Sequence, residues 1–151
     1  MWTRTTTILA AAGALALVAG PTADAKGHHG LIKIKATSKI AEAHLVDNAP
    51  AGDSPGDILV FTEKLYNARG KQIGSDAATC VRLFDPSSLC TGVYKLPGGQ
   101  VHVQLVQPGP TGTYDQAIVG GTGRFAGARG TVTVAQNPSK GDRFTFKIRV
   151  N

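Results

Sequence analysis

Apolar and polar residues alternate along much of the chain. Ile32, Ile34 and Ala36 interleave with Lys33, Lys35 and Thr37, and Phe144, Phe146, Ile148 and Val150 interleave with Thr145, Lys147 and Arg149. Val101, Val103 and Leu105 do the same with His102 and Gln104. A two-residue period marks a strand with one covered face. Further strand-like runs are Ile58–Asn67, a run ending near Phe84, Leu89–Leu96, Gln116–Val119 and Thr131–Ala135, with Glu42–Asp47 continuing the first strand. Turn-forming stretches separate them: Asn48–Asp57, Asn67–Gly70, Asp85–Ser88, Pro97–Gly99, Pro108–Thr113 and Asn137–Asp142. About eight strands and no convincing helix predict an all-β domain, either a sandwich or an up-and-down barrel.

The charges orient the strands. Lys33, Lys35, Lys147 and Arg149 must face water, because charges of one sign cannot share a dry interior. Ile32, Ile34, Phe144, Phe146 and Ile148 therefore point inward. Ile58–Tyr66 differs in being apolar on both faces: Leu59, Phe61, Glu63 and Leu65 on one, Ile58, Val60, Thr62, Lys64 and Tyr66 on the other. The interior covers one face. The other meets a neighbouring subunit or is a surface with scattered hydrophobes.

Composition narrows the class. The 151 residues are 42% hydrophobic and 17% charged, with 19 Gly and 8 Pro. This is too apolar and too weakly charged for a disordered chain. The length fits one domain. The net charge of +6 is spread along the chain. It lacks the basic stripe with interleaved aromatics that binds single-stranded nucleic acid, so no nucleic-acid partner is expected.

The first residues read as an address. Arg4 precedes the apolar run Ile8–Gly20, and Ala23-Asp24-Ala25 is an A-x-A cleavage site. The run is shorter than the roughly 20 residues of a membrane span. The expected layout is a signal peptide over residues 1–25, a polar tail over 26–30 and the barrel domain over 31–151, in a secreted protein. Cleavage after Ala25 would leave Lys26-Gly27-His28 at a free amino terminus. The amine, two backbone amides and the His28 ring can then offer four coplanar nitrogens to Cu(II) or Ni(II). The alternative is a solvated tail.

In an exported chain, Cys80 and Cys90 predict one disulfide across the Asp85–Ser88 turn; two free thiols are the alternative. CxxC spacing is absent, as are G-x-S-x-G, HExxH and P-loop patterns. Gly121-x-Gly123-x-x-Ala126 resembles a dinucleotide fingerprint but is followed by a strand, so it reads as a sharp corner in the sheet. No cofactor is expected.

Three segments carry a family resemblance: GDILVFTEKLYNARGKQIGSDAATC (Gly56–Cys80), CTGVYKLPGGQVHVQ (Cys90–Gln104) and AIVGGTGRFAGARGTVTV (Ala117–Val134). In this order they resemble the allene oxide cyclase barrels and their relatives, the dirigent proteins. The resemblance implies a closed eight-stranded antiparallel β-barrel, a trimeric homo-oligomer, and a lumen that binds a small apolar ligand and steers a cyclisation or coupling. It places Leu59, Phe61, Glu63 and Cys80 on the lumen wall, with Tyr94 as a further wall residue. The plant cyclases carry Asn where this chain has Glu63, and the carboxylate of their first strand has no counterpart in LIKIKATSKI.

Glu63 is the candidate catalytic residue. A carboxylate among Leu59, Phe61 and Leu65 is costly to ionise, and burial raises its pKa toward the acid/base range. The competing readings are a salt bridge to Arg82, Arg124 or Arg129, or a place on an open rim. His44 and His102 stand alone in strands and read as outward or hydrogen-bonded side chains.

Overall fold

A computed structural model describes residues 30–109 and 111–150. The signal peptide, the tail and the Lys26/His28 copper or nickel site lie outside the described residues. Eight strands follow in order: β1 (Gly30–Val46), β2 (Ile58–Tyr66), β3 (Gln72–Arg82), β4 (Ser88–Leu96), β5 (Gly99–Gln107), β6 (Thr113–Gly121), β7 (Arg129–Ala135) and β8 (Arg143–Val150). Each pairs antiparallel with its chain neighbour, and β8 returns to β1, so the sheet is a closed eight-stranded barrel. Closure leaves no exposed edge. The domain is the barrel that the resemblance implies, not the sandwich.

The alternation holds around the ring. Ala36, Phe144, Phe146, Ile148 and Val150 are buried, while Lys33, Lys35, Lys147 and Arg149 are exposed. The first strand runs through Val46, as the expected continuation over Glu42–Asp47 has it. It does so by a register shift between Ile40 and Glu42, which turns Ala43 and Leu45 into line with Phe61 and Leu59. An extra residue of this kind bends a strand and re-aims the side chains beyond it.

The two ends of the barrel differ. At the end holding the β4–β5 turn, Leu65, Leu96, Val101, Val132, Phe146 and Ile148 fill the interior. The crossing from β6 to β7 contains a one-turn 3-10 helix, Gly123–Phe125, which inserts Phe125 into the core at 1% exposure. Here the glycine-rich segment makes its corner. Arg124 N–H donates to the Gly98 carbonyl, and a Cβ on Gly121 would collide with the Phe125 carbonyl. At Gly130, φ is +133° and a Cβ would run into the Lys147 carbonyl. An eight-stranded barrel is just wide enough to be filled by side chains or to hold one small guest. This chain does the first at one end and leaves room for the second at the other.

Candidate functional site

The hollow end is that of the β2 start and the β3–β4 turn. There the disulfide Cys80–Cys90 links directly opposed positions of β3 and β4, and both cysteines are buried. Below it lies a cavity of about 260 Å³ lined by Ala43, Leu59, Phe61, Glu63, Tyr114, Gln136, Asp142 and Phe144, among others. On β1 the short side chain of Ala43 leaves space opposite Phe61 of β2. Past Leu59 and Gln107 an adjoining recess of about 420 Å³ reaches the rim at Asp53, Arg82 and Pro108.

Three of the five expected wall residues, Leu59, Phe61 and Glu63, line the cavity, and Cys80 lines the adjoining recess. Tyr94 does not line it. It also faces inward, but it is 2% exposed and sits in the floor, edge-on to Phe146 at 4.9 Å and Phe144 at 5.8 Å. Its hydroxyl donates to Gln116 Oε1 at 2.7 Å. The side chain is used in packing rather than in contact with a guest.

Glu63 takes none of the three arginines proposed for it. Arg82 pairs with Asp53 at the rim, and Arg124 lies over the Phe125 ring at 5.2 Å. Its hydrogen-bond partner is Ser38, whose hydroxyl donates to Glu63 Oε1 at 2.9 Å. Directly across the β2–β3 ladder from Glu63 stands Asp76, and across β3–β4 from Asp76 stands Tyr94. Glu63 and Asp76 are each 7% exposed, and Asp76 Oδ1 has no hydrogen-bond partner. Burial pushes Glu63 above the usual carboxylate range, against the Ser38 hydrogen bond. Burial, and then the Glu63 charge, push Asp76 up to about 7. Burial also raises the Tyr94 and Tyr114 hydroxyls, so neither ionises near neutrality.

The arrangement is a pair of adjacent carboxyls that cannot both ionise cheaply. Burial raises both groups, and repulsion by Glu63 adds to it at Asp76, which reaches about 7, so the two sit in unequal environments. Glu63 touches the cavity and keeps a donor to its charged form. Asp76 stands beside it on β3 and is not among the residues lining the cavity.

Asp76, Asp142, Tyr114 and Gln136 are site residues that sequence reasoning missed. For Asp76 the signal was present: counting back by two from Cys80 gives Ala78 and then Asp76, on the same face. The expected isolated histidines are outer-face residues. His44 is exposed beside Glu42, with 2.9 Å between Nε2 and Oε1, and His102 is partly buried with Nε2 unpartnered. Among the described residues no cluster of three or more His, Cys, Asp or Glu side chains could hold a metal ion, and no helix is long and apolar enough to cross a membrane.

No family model and no curated protein matches the sequence. Solved structures do. A pyocyanin demethylase superposes with a TM-score of 0.71 at 22% identity, over 80% of this chain and 100% of that one. A Diels-Alderase from Streptomyces koyangensis gives 0.64 at 16% identity, over 79% of this chain and 63% of that one, so the chain spans under two thirds of that enzyme. A pterocarpan synthase dirigent protein gives 0.57 at 18% identity, over 80% and 84%. In fold, therefore, this chain is a closed eight-stranded barrel of the kind built by Diels-Alderase cyclases and dirigent proteins.

Proposed function

We propose that the protein binds a small, largely apolar molecule in its lumen and promotes an isomerisation or cyclisation of it. The observation that carries this reading is the placement of Glu63. It is a buried carboxylate on the wall of an apolar, aromatic cavity, backed by Asp76, with no cation among the residues lining that cavity. The rigid wall would hold the guest in one conformation, which supplies much of the rate gain in a ring closure. Glu63 would take or return a proton, and Asp76 would set its readiness to do so. A second reading is a guiding barrel that binds a reactive intermediate without proton transfer; the packed floor and the hollow end serve it equally.

Export supports the same picture. The leader-like start and the buried Cys80–Cys90 bridge fit a protein matured in an oxidising compartment. Assembly into a homo-oligomer is supported by the outer face of β2–β5. Val60, Thr62, Ala77, Thr79, Thr91 and Val93 line a shallow, uncharged groove there.

Mass spectrometry of small molecules extracted from the secreted protein tests the binding. Recovery of one apolar compound in stoichiometric amount supports it. Turnover of that compound by the Glu63→Gln variant then separates the two readings: a loss of about 10²–10⁴-fold supports acid/base catalysis, and unchanged turnover leaves only guidance.

A further inference from the structure

We infer that the guest of the lumen is a small aromatic cation. The inference rests on the lumen being a ligand site and specifies its ligand. Two carboxyl groups, Glu63 and Asp142, line the cavity, and a third, Asp76, lies on the lumen face beside Glu63. No Lys, Arg or His is among the residues lining it. On the adjoining rim stand Lys39 and Lys140, both exposed, and the Lys39 ammonium lies over the Tyr66 ring at 5.5 Å.

Two unsatisfied oxygens lie close to the cavity, one on Gln136 of its wall and one on Asp76, the cross-strand neighbour of Glu63. Asp76 Oδ1 and Gln136 Oε1 are buried with no hydrogen-bond partner. Buried acceptors left empty are costly, and they add negative potential behind the Glu63 and Asp142 carboxyls that line the cavity, which favours a guest that carries positive charge. An anionic guest meets Glu63 and Asp142 with no cation among the lining residues to offset them. A purely hydrocarbon guest fills the cavity but leaves the carboxyls without a counter-ion in a drier environment than before.

The remaining walls fit a ring. Phe61, Tyr114 and Phe144 bring three aromatic side chains to the cavity. Aromatic faces attract cations, more so when water is excluded. The size, about 260 Å³, is just below the range of drug-sized sites and suits one or two fused rings. The carboxyls and the aromatic lining thus converge on a delocalised cation of that size.

The test uses three probes of nearly equal shape: N-methylquinolinium, naphthalene and naphthoate. Each is titrated into the isotopically labelled, secreted protein and followed by backbone NMR shifts. The expected result is lumen binding of the quinolinium about 10-fold or more tighter than naphthalene, with naphthoate weakest. Glu63→Gln should erase that preference while naphthalene affinity holds; Asp142→Asn serves as an independent second variant. Naphthalene binding in the lumen as tightly as quinolinium would overturn the cation while leaving the lumen site intact. Failure of all three to shift lumen residues would overturn the lumen site as well.

Discussion

Glu63 and Asp76 oppose each other across the β2–β3 ladder on the lumen side of the barrel, each 7% exposed. Like charges in that position repel. Both acids have folded pKa values above their unfolded ones, Asp76 at about 7. The native state therefore prefers them protonated. Their contribution is harmless below about pH 4 and becomes a growing cost as pH rises through about 7. For Asp76 the cost at high pH has an upper bound of about 4 kcal/mol.

Asp76→Asn should accordingly raise the thermal midpoint at pH 8 and leave it nearly unchanged at pH 4. Thermal unfolding of both proteins across that range checks this. A variant equally or less stable than the parent at pH 8 would show that the pair is relieved in some other way.

The strand pattern was legible because the charges could lie on only one face. Lys33, Lys35, Lys147 and Arg149 settled which side of β1 and β8 met water. Closure of the barrel was not legible in the periodicity, since a sandwich has the same alternation; it required the resemblance. Glu63 was visible because it interrupts an apolar face. Asp76 was legible only by counting back from Cys80, because its strand is rich in Ala, Ser and Thr and gives no clear apolar face to interrupt. Asp142 and Gln136 come from residues flanking the β7–β8 turn, and only closure folds them over the cavity mouth. Tyr94 was expected on the wall, and its place in the floor depends on the packing of Phe144 and Phe146, which the sequence pattern does not show.

The Cys80–Cys90 bridge closes a short loop at the cavity end. In the chain-entropy account, a ten-residue separation is worth about 2–3 kcal/mol. Replacing both cysteines by Ala should lower the denaturation midpoint accordingly without changing the slope. Equal midpoints for parent and variant would remove the bridge from the stability account.

Tyr94→Phe removes the donor to Gln116 Oε1 and leaves a buried amide oxygen without its partner. The expected loss is about 1–3 kcal/mol, read by urea unfolding. Ligand affinity should hold, because Tyr94 lies in the floor. A large fall in affinity at unchanged stability would place the hydroxyl in contact with the guest after all.

At the packed end, Gly130→Ala should be strongly destabilising, since a Cβ meets the Lys147 carbonyl and φ is +133°. Gly127→Ala is the control. Its φ is also positive, at +70°, but nothing lies within 4 Å of a Cβ, so only the local backbone cost of about 1–2 kcal/mol applies. Comparable losses in the two variants, measured by thermal unfolding, would contradict the close approach of β7 to β8.

The central claim is that a guest enters the hollow half of the barrel. Ala43 lines that space from β1, opposite Phe61. Calorimetric titration of N-methylquinolinium into the parent and into Ala43→Phe tests the claim most directly. Binding to the parent, with affinity lost in a folded Ala43→Phe variant whose cavity is filled, is the predicted result. Equal affinity in both proteins would put the guest elsewhere on the molecule and contradict the account.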